Sequence, residues 1–324
     1  MTENEFNPRP ISRDSKIYVA GHNGLAGSAI LRELKKSGFT SVVGKSSTEL
    51  DLTKRDQVFS FFESERPYAV IDAAAKVGGI HANNTYPADF LSQNLQIQVN
   101  LMDAANSVNV ERLVFLGSSC IYPKFADQPI KESSLLTGML EPTNDAYAIA
   151  KIAGIMQVQA SRRQYGRSWI SAMPTNLYGP GDNFHPDNSH VLPALMRRIH
   201  EAKINGSPEV VIWGSGKPLR EFLHVDDLAA AVLYLLENYD SPETINVGVG
   251  VDISIKELAH MVAGVVGYEG ALIQDASKPD GTPKKLLDVS RIHRLGWSAK
   301  IPLESGLQQT YEWYLQHLDS LRSK

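Results

Sequence analysis

The sequence is short of cysteine, of excess charge and of long apolar runs. It has one cysteine among 324 residues, which excludes an internal disulfide and favours a reducing, cytoplasmic setting. Its formal net charge is -4, from 32 basic and 36 acidic side chains, so nothing indicates binding to nucleic acid or another polyanion. No apolar run approaches the roughly 20 residues that a membrane helix needs, so we expect no membrane partner. Residues 1–15 are polar and lack the apolar core of a signal peptide.

Short apolar segments alternate with amphipathic segments through the first half of the chain. The pattern predicts strands at 16–20, 41–43, 69–72, 112–116 and 169–173, with helices between them. Parallel strands need such crossovers, and right-handed crossovers place helices on both faces of the sheet. The sequence therefore predicts an α/β fold with a Rossmann-type, doubly wound parallel sheet.

A glycine-rich segment, 21–27, lies between the first predicted strand and the first predicted helix. Glycine lets the backbone approach a pyrophosphate, and a helix N-terminus offers it free N–H groups and a positive dipole end. The spacing is GxxGxxG, and a glycine triplet alone is weak evidence because turns also collect glycine. Its position after the first strand makes it a dinucleotide-binding loop.

The end of the second predicted strand indicates which dinucleotide binds. An acidic residue there suits the ribose of NAD, whereas a cation suits the 2′-phosphate of NADP. The chain has Lys45 followed by two serines, and no carboxylate before Glu49, which favours NADP(H). A solvated loop lysine is the other interpretation of Lys45. Asp51 is expected to face the adenine.

Tyr147 and Lys151 lie four residues apart on one predicted helix and so share a face. A nearby ammonium is expected to lower the pKa of the tyrosine, which can then pass a proton to a carbonyl oxygen as hydride reaches the carbon. A core tyrosine with a surface lysine explains most such pairs. Ser118, just after the fourth strand, favours the catalytic interpretation, because catalytic groups gather beyond the carboxyl ends of parallel strands.

Glycine, proline and asparagine interrupt the regular pattern after residue 173. We therefore expect residues 16–173 to form mainly the NADP-binding Rossmann domain. Residues 174–324 are expected to form mainly a smaller, mixed α/β substrate-binding domain, with some segments returning to the Rossmann sheet.

From residue 16 to the C-terminus the chain resembles the extended short-chain dehydrogenase/reductase family. The matching segments are 20–22, 73–80, 83–90, 116–123, 141–144, 147–154, 173–180, 182–186, 188–191, 213–216, 220–227 and 275–283. The resemblance is to members that act on GDP-4-keto-6-deoxy-D-mannose, a GDP-sugar. It implies epimerisation at C3 and C5, followed by NADPH-dependent reduction at C4, and a homodimer through the helices near 87–106 and 146–164.

The resemblance implies that Ser118, Tyr147 and Lys151 are the reductase triad. It also implies that Cys120 is the epimerisation base and His190 the acid. A thiol with a pKa of about 8.5 and an imidazole with one of about 6.5 can both exchange protons near neutral pH. A small buried side chain is the alternative for Cys120, and a loop or helix-capping role is the alternative for His190.

The remaining site residues follow from the glycine loop and the resemblance together. The predicted cofactor-binding residues are Gly21, His22, Asn23, Gly24, Leu25, Ala26, Gly27, Lys45, Asp51, Leu116, Gly117, Ser118, Ser119, Tyr147, Lys151, Pro174, Thr175, Asn176, Leu177 and His190. The predicted substrate-binding residues are Asn176, Arg198, Trp213, Arg220, Lys278 and Asp280. No metal site is predicted.

The chain departs from the resemblance at Asn23 and Lys45, where members of the family often carry arginine. A lysine contacts phosphate as a point charge and cannot form a bidentate contact. Two other functions stay open at this stage. One is a nucleotide-sugar 4-epimerase that keeps NAD bound, with no net redox, and the other is a dinucleotide sensor without catalysis. The chemistry of the 4-epimerase does not need Cys120 and His190, so their presence argues against it. A sensor is expected to have lost part of the triad, whereas Ser118, Tyr147 and Lys151 are all present.

Overall fold

Six parallel strands form the main sheet of the computed structural model, which describes residues 10–186, 188–278 and 280–322. The strands among these residues are β1 Ile17–Ala20, β2 Val42–Val43, β3 Ala69–Asp72, β4 Arg112–Leu116, β5 Ser168–Pro174, β6 Asn176–Tyr178, β7 Glu209–Trp213, β8 Leu219–Arg220, β9 Phe222–His224, β10 Ile245–Val247, β11 Ile253–Ser254, β12 Ala271–Asp275 and β13 Lys284–Lys285. The order in the main sheet is β10-β5-β4-β3-β1-β2. The predicted α/β fold with a Rossmann-type parallel sheet is confirmed.

Helices connect these strands and cover the sheet. Their bounds are α1 Leu25–Lys36, α2 Arg55–Glu65, α3 Ile80–Thr85, α4 Pro87–Ser107, α5 Asp145–Tyr165, α6 Val191–Ile204, α7 Val225–Asn238, α8 Ile255–Val266, α9 Ser290–Arg294, α10 Leu303–Gln316 and α11 Leu318–Arg322. Strands β1, β3 and β4 are buried along their whole length, as expected for a parallel sheet covered on both faces. Among the described residues, no helix has the length and apolarity needed to cross a membrane.

The chain order in the sheet places a crevice between β1 and β3. From β1 the chain first goes to the edge strand β2, and then returns to the other side of β1 to form β3. At such a switch point the loops that follow the two strands diverge, and ligands bind beyond the carboxyl ends of the strands. The segment 21–27 follows β1 and residues 73–79 follow β3, so both loops border this crevice.

Two clusters of buried side chains form the hydrophobic core. The larger surrounds the main sheet and includes residues of α7 and β10, from the second half of the sequence. The smaller joins α6, α8 and α10, through side chains such as Met196, Leu258 and Leu307. The domain division at residue 173 stays a prediction.

Candidate active site

The backbone of segment 21–27 leaves room for a pyrophosphate. Gly21 has φ +75°, a conformation that favours glycine, and a Cβ there would meet the backbone of Ala73 and Ala74. A Cβ at Gly27 would overlap the carbonyl group of Gly21. Helix α1 begins at Leu25 with no side-chain cap and no acidic residue in its first turn, so its N–H groups are available to an anion. These features fit the phosphates of a dinucleotide. The predicted loop residues Asn23, Gly24 and Ala26 lie in this same turn.

The loop after β2 lies beside the glycine-rich segment. A Cβ on Gly44 would overlap the ring of His22, so the two loops are in close contact. Lys45 lies 3.7 Å from Glu49 and is partly exposed. Asp51 accepts hydrogen bonds from the backbone N–H and the hydroxyl of Thr53, at 2.9 and 2.7 Å. The carboxylate of Asp51 therefore helps to fix the turn before α2.

Ser118 and Cys120 lie in a single turn of 3₁₀ helix directly after β4. The Ser118 hydroxyl accepts a hydrogen bond from the Cys120 backbone N–H at 3.2 Å, which caps this turn. Gly117 is held to the sheet by its N–H bond to the Ala172 carbonyl, and a side chain there would meet Met173. The turn therefore holds Leu116, Gly117 and Ser119 at the carboxyl edge of the sheet.

The structure brings Tyr147 to this turn from helix α5. Burial raises the pKa of Tyr147, and the nearby Cys120 raises it further, while a hydrogen bond with Ser118 lowers it. The expected lowering of the Tyr147 pKa by Lys151 is therefore wrong. The physical reason is that desolvation of the phenolate outweighs the other effects. A phenol with a raised pKa stays protonated at neutral pH, so Tyr147 holds the proton that reduction of a carbonyl consumes.

Lys151 is buried and points back to the end of β4. Its Nζ donates a hydrogen bond to the Leu116 carbonyl at 2.8 Å and lies 4.6 Å from the centre of the Phe115 ring. Burial lowers the pKa of Lys151, whereas the charge of Asp72 raises it. The contacts of the ammonium thus fix it beneath the catalytic turn.

Asp72 is a site residue that the sequence reasoning missed. It ends β3, is fully buried, and accepts a hydrogen bond at Oδ1 from the Ala74 N–H at 3.1 Å. Its Oδ2 has no hydrogen-bond partner among the described residues. Burial raises the pKa of Asp72 to about 6, while the charge of Lys151 and the Ala74 bond lower it. In the sequence, Asp72 could have been noticed as a carboxylate at the end of an otherwise apolar strand.

Arg220, at the end of β8, comes near Cys120 of the same turn. Burial lowers the pKa of its guanidinium, and the nearby Cys120 thiol raises it. Its Nη1 donates to the Leu219 carbonyl at 2.7 Å, and Gly281 lies beside Nη2. Arg220 and Tyr147 thus both lie close enough to Cys120 to interact with its charge.

His190 directly precedes α6, at the N-cap position, and its side chain makes no capping hydrogen bond. Part of its ring is exposed, yet the surrounding protein atoms desolvate it and lower its pKa. In the described part of the chain it makes no hydrogen bond to Ser118, Cys120 or Tyr147. The preceding residue, Ser189, lies against Gly79 of the loop after β3. His190 is therefore carried on a segment that borders the crevice.

The segment that follows β5 is fixed by hydrogen bonds to a second loop. The Asn176 side chain donates to the Glu221 carbonyl at 2.8 Å, and the Thr175 N–H donates to the Val247 carbonyl at 3.0 Å. Pro174 ends β5, and Leu177 lies in β6 beside Leu223. These bonds hold Asn176 next to Glu221, and therefore close to Arg220 in the sequence.

The other predicted substrate residues lie along β7 and the loop after β12. Trp213 is 68% exposed, and the Lys278 Nζ lies 5.6 Å from its ring centre. Asp280 accepts hydrogen bonds from the Ser215 N–H and hydroxyl at 2.8 and 2.7 Å. Arg198 donates to the Val211 carbonyl at 3.2 Å. Arg198 and Lys278 thus both lie beside β7, which carries Trp213.

Comparisons with known proteins show the family to which the chain belongs. Residues 17–248 match the NAD dependent epimerase/dehydratase family. The chain is 62% identical over 306 residues to GDP-L-fucose synthase 1 of Arabidopsis thaliana, covering 94% of this chain and 95% of that protein. It is 56% identical over 316 residues to GDP-L-fucose synthase of Escherichia coli (strain K12), covering 95% and 98%.

A solved structure extends the likeness to a cofactor-bound protein. A GDP-L-fucose synthetase from Naegleria fowleri bound to NADP has a TM-score of 0.92 and 32% identity to this chain. The match covers 99% of both chains. The likeness therefore takes in both hydrophobic cores and the crevice between β1 and β3.

Proposed function

We propose the following reaction from the premise that this chain belongs to the NAD dependent epimerase/dehydratase family. It converts GDP-4-keto-6-deoxy-D-mannose into GDP-L-fucose by epimerisation at C3 and C5 and reduction at C4. Its cofactor is NADP(H), which supplies the hydride when bound. The observation that carries the proposal is the grouping of Ser118, Cys120 and Tyr147 around one turn.

Epimerisation uses the acidity of protons beside the 4-keto group. The thiolate of Cys120 removes a proton from C3 or C5, and Arg220 nearby stabilises negative charge. His190 returns a proton to the other face of the sugar. In the free protein its pKa is lowered, but the negative charge of a GDP-sugar favours the protonated imidazole.

Reduction uses the triad on β4 and α5. Ser118 hydrogen-bonds the 4-keto oxygen and orients it, and Tyr147 donates the proton that the new hydroxyl requires. Lys151, one helical turn beyond Tyr147 and bonded to the Leu116 carbonyl, supplies positive charge to the site. The predicted clamps Asn176, Arg198, Trp213, Lys278 and Asp280 are assigned to the GDP-sugar. The nucleotide-sugar 4-epimerase is not favoured, because its chemistry does not require Cys120.

The experiment is a stoichiometry measurement with GDP-4-keto-6-deoxy-D-mannose. We expect one NADPH oxidised for each GDP-L-fucose formed, measured by absorbance and product NMR. Tyr147→Phe is expected to lower the rate by about 10²–10⁴-fold, because the proton donor is lost, while NADPH still binds. Product formation without NADPH oxidation would support the 4-epimerase instead.

A homodimer and a cytoplasmic setting are part of the same proposal. Helices α4 and α5 pack together and leave apolar side chains exposed, among them Val99, Ile149 and Met156. A second copy that packs on these helices would cover them. The requirement for a reduced Cys120 supports the cytoplasm. Light scattering at two protein concentrations tests the dimer, and a monomer mass at both would contradict it.

A further inference from the structure

A carboxylate lies where the 2′-phosphate of the cofactor is expected. Glu49 accepts hydrogen bonds at Oε2 from the Ser46 backbone N–H at 2.9 Å and from the Ser46 hydroxyl at 2.6 Å. Its Oε1 lies 3.7 Å from the Lys45 Nζ. The Glu49 carboxylate thus interacts with an ammonium, a hydroxyl and a backbone N–H. These are the kinds of donor that bind phosphate.

The position of these donors points to the adenosine ribose. Lys45 and Glu49 follow Gly27 by 18 and 22 residues, and a doubly wound fold places the residue that reads the 2′ position about 20 residues beyond the glycine loop. The contact between Gly44 and His22 fixes the start of this segment against the glycine loop. The donor set therefore lies in the loop that is expected to border the ribose of a bound dinucleotide.

We propose that Glu49 is a specificity-determining residue for the cofactor. Its carboxylate occupies the donors that would hold a 2′-phosphate and so weakens the preference for NADPH over NADH. The inference rests on the proposed function, because it assumes that a dinucleotide binds in the crevice. With NADPH the carboxylate is displaced, whereas with NADH it stays and accepts a hydrogen bond from the free 2′-hydroxyl.

Glu49 has the charge and the freedom that this role requires. Hydrogen bonds from Ser46 lower its pKa, so the carboxylate is ionised at neutral pH. Its side chain is 55% exposed and that of Lys45 is 37% exposed. An exposed ion pair is weak, and an entering dianionic phosphate can replace the carboxylate at both Lys45 and Ser46.

The test compares binding of two nucleotides to the full chain by calorimetry. Adenosine 2′,5′-bisphosphate carries the 2′-phosphate and 5′-AMP does not. In Glu49→Gln the affinity for the bisphosphate relative to 5′-AMP is expected to rise about threefold, because a neutral amide no longer competes for Lys45. The glutamine oxygen can still accept from the Ser46 N–H and keep the turn.

The chain offers a matched control in Glu257. Its carboxylate caps α8 with the same contacts, from the Ser254 N–H at 3.0 Å and the Ser254 hydroxyl at 2.6 Å. Glu257→Gln should leave the relative affinity unchanged. The proposal is overturned if Glu49→Gln also leaves it unchanged, or lowers it, in a protein that melts at the wild-type temperature.

A second variant keeps the test decisive if Glu49→Gln fails to fold. Glu49→Asp shortens the carboxylate, which withdraws it from Lys45, and should raise the same ratio in the same direction. An unchanged ratio there would also overturn the proposal. Because neither nucleotide carries a nicotinamide and no sugar is present, these results are independent of whether the chain makes GDP-L-fucose.

Discussion

Cys120 lies two residues beyond Ser118, and one turn fixes both side chains at the edge of the sheet. We expect Cys120→Ser to slow solvent deuterium uptake at C3 and C5 by at least about 10²-fold, because a serine hydroxyl is a far weaker base than a thiolate. NMR of GDP-4-keto-6-deoxy-D-mannose in D2O with NADP+ measures the uptake. NADPH affinity should stay within about twofold. Uptake at the wild-type rate would remove Cys120 from its proposed role.

Asp72 gives a second prediction at the scale of a single residue. Its negative charge raises the pKa of Lys151, so Asp72→Asn should lower that pKa further. If reduction requires the ammonium, the alkaline fall in kcat should then move to lower pH in the variant. The pH profile of NADPH oxidation measures this shift.

The control for this pH shift is an aspartate outside the crevice. Asp103→Asn removes a carboxylate that pairs with Arg55 at 2.8 Å, and it should leave the profile unchanged. The role of Asp72 is contradicted if its variant folds, binds NADPH and keeps the alkaline limb of the wild type.

Residues close together in the sequence were the ones that could be predicted. Tyr147 and Lys151 are one helical turn apart, and Ser118 and Cys120 share a turn, so the motif itself carries the placement. The pKa shift of Tyr147 could not be predicted, because it depends on burial by distant parts of the chain. The buried hydrogen bonds of the Glu221 carboxylate could not be predicted either, because the backbone N–H groups that it binds lie 28 to 66 residues away in the sequence.

At the scale of the elements, length decided what the sequence could predict. The strands of the main sheet appear in the sequence as short apolar segments, and β3 and β4 begin and end where expected. Strands β8, β11 and β13 have two residues each, too few for any period, whereas the equally short β2 was predicted because it lies between two predicted helices. Their pairing comes from long-range hydrogen bonds.

Glu221 links the junction of β8 and β9 to the loops that follow β10 and β13. It separates β8 from β9, is fully buried, and its Oε1 accepts from the Val249 and Gly250 N–H groups at 2.6 and 2.7 Å. Its Oε2 accepts from the Leu287 N–H at 3.0 Å. The carboxylate thus holds three loop N–H groups beside Arg220.

Glu221→Gln tests this contribution to stability. An amide has one acceptor oxygen, so at least one buried N–H loses its partner, and the free energy of unfolding should fall by about 1–3 kcal/mol. Urea unfolding followed by circular dichroism measures it. Glu209→Gln, an exposed change on β7, is the control and should alter stability by less than about 0.5 kcal/mol. A similarly small change in Glu221→Gln would contradict the account.

At the scale of the whole molecule, the crevice joins parts that are far apart in the sequence. The catalytic turn follows β4, while Arg220 and Asn176 come from the strands beyond β5. The return of β10 to the main sheet and the position of α7 in the larger core bring these segments together. Such packing depends on side chains from both halves of the chain, so the sequence pattern alone could not place Arg220 beside Cys120.

The central claim is that one pocket exchanges protons beside a ketone and also reduces that ketone. Its most direct test is NMR of the product made from GDP-4-keto-6-deoxy-D-mannose and NADPH in D2O. The account predicts GDP-L-fucose with solvent deuterium at C3 and C5 and the hydride of NADPH at C4. A product reduced at C4 with ordinary hydrogen at C3 and C5 would contradict it.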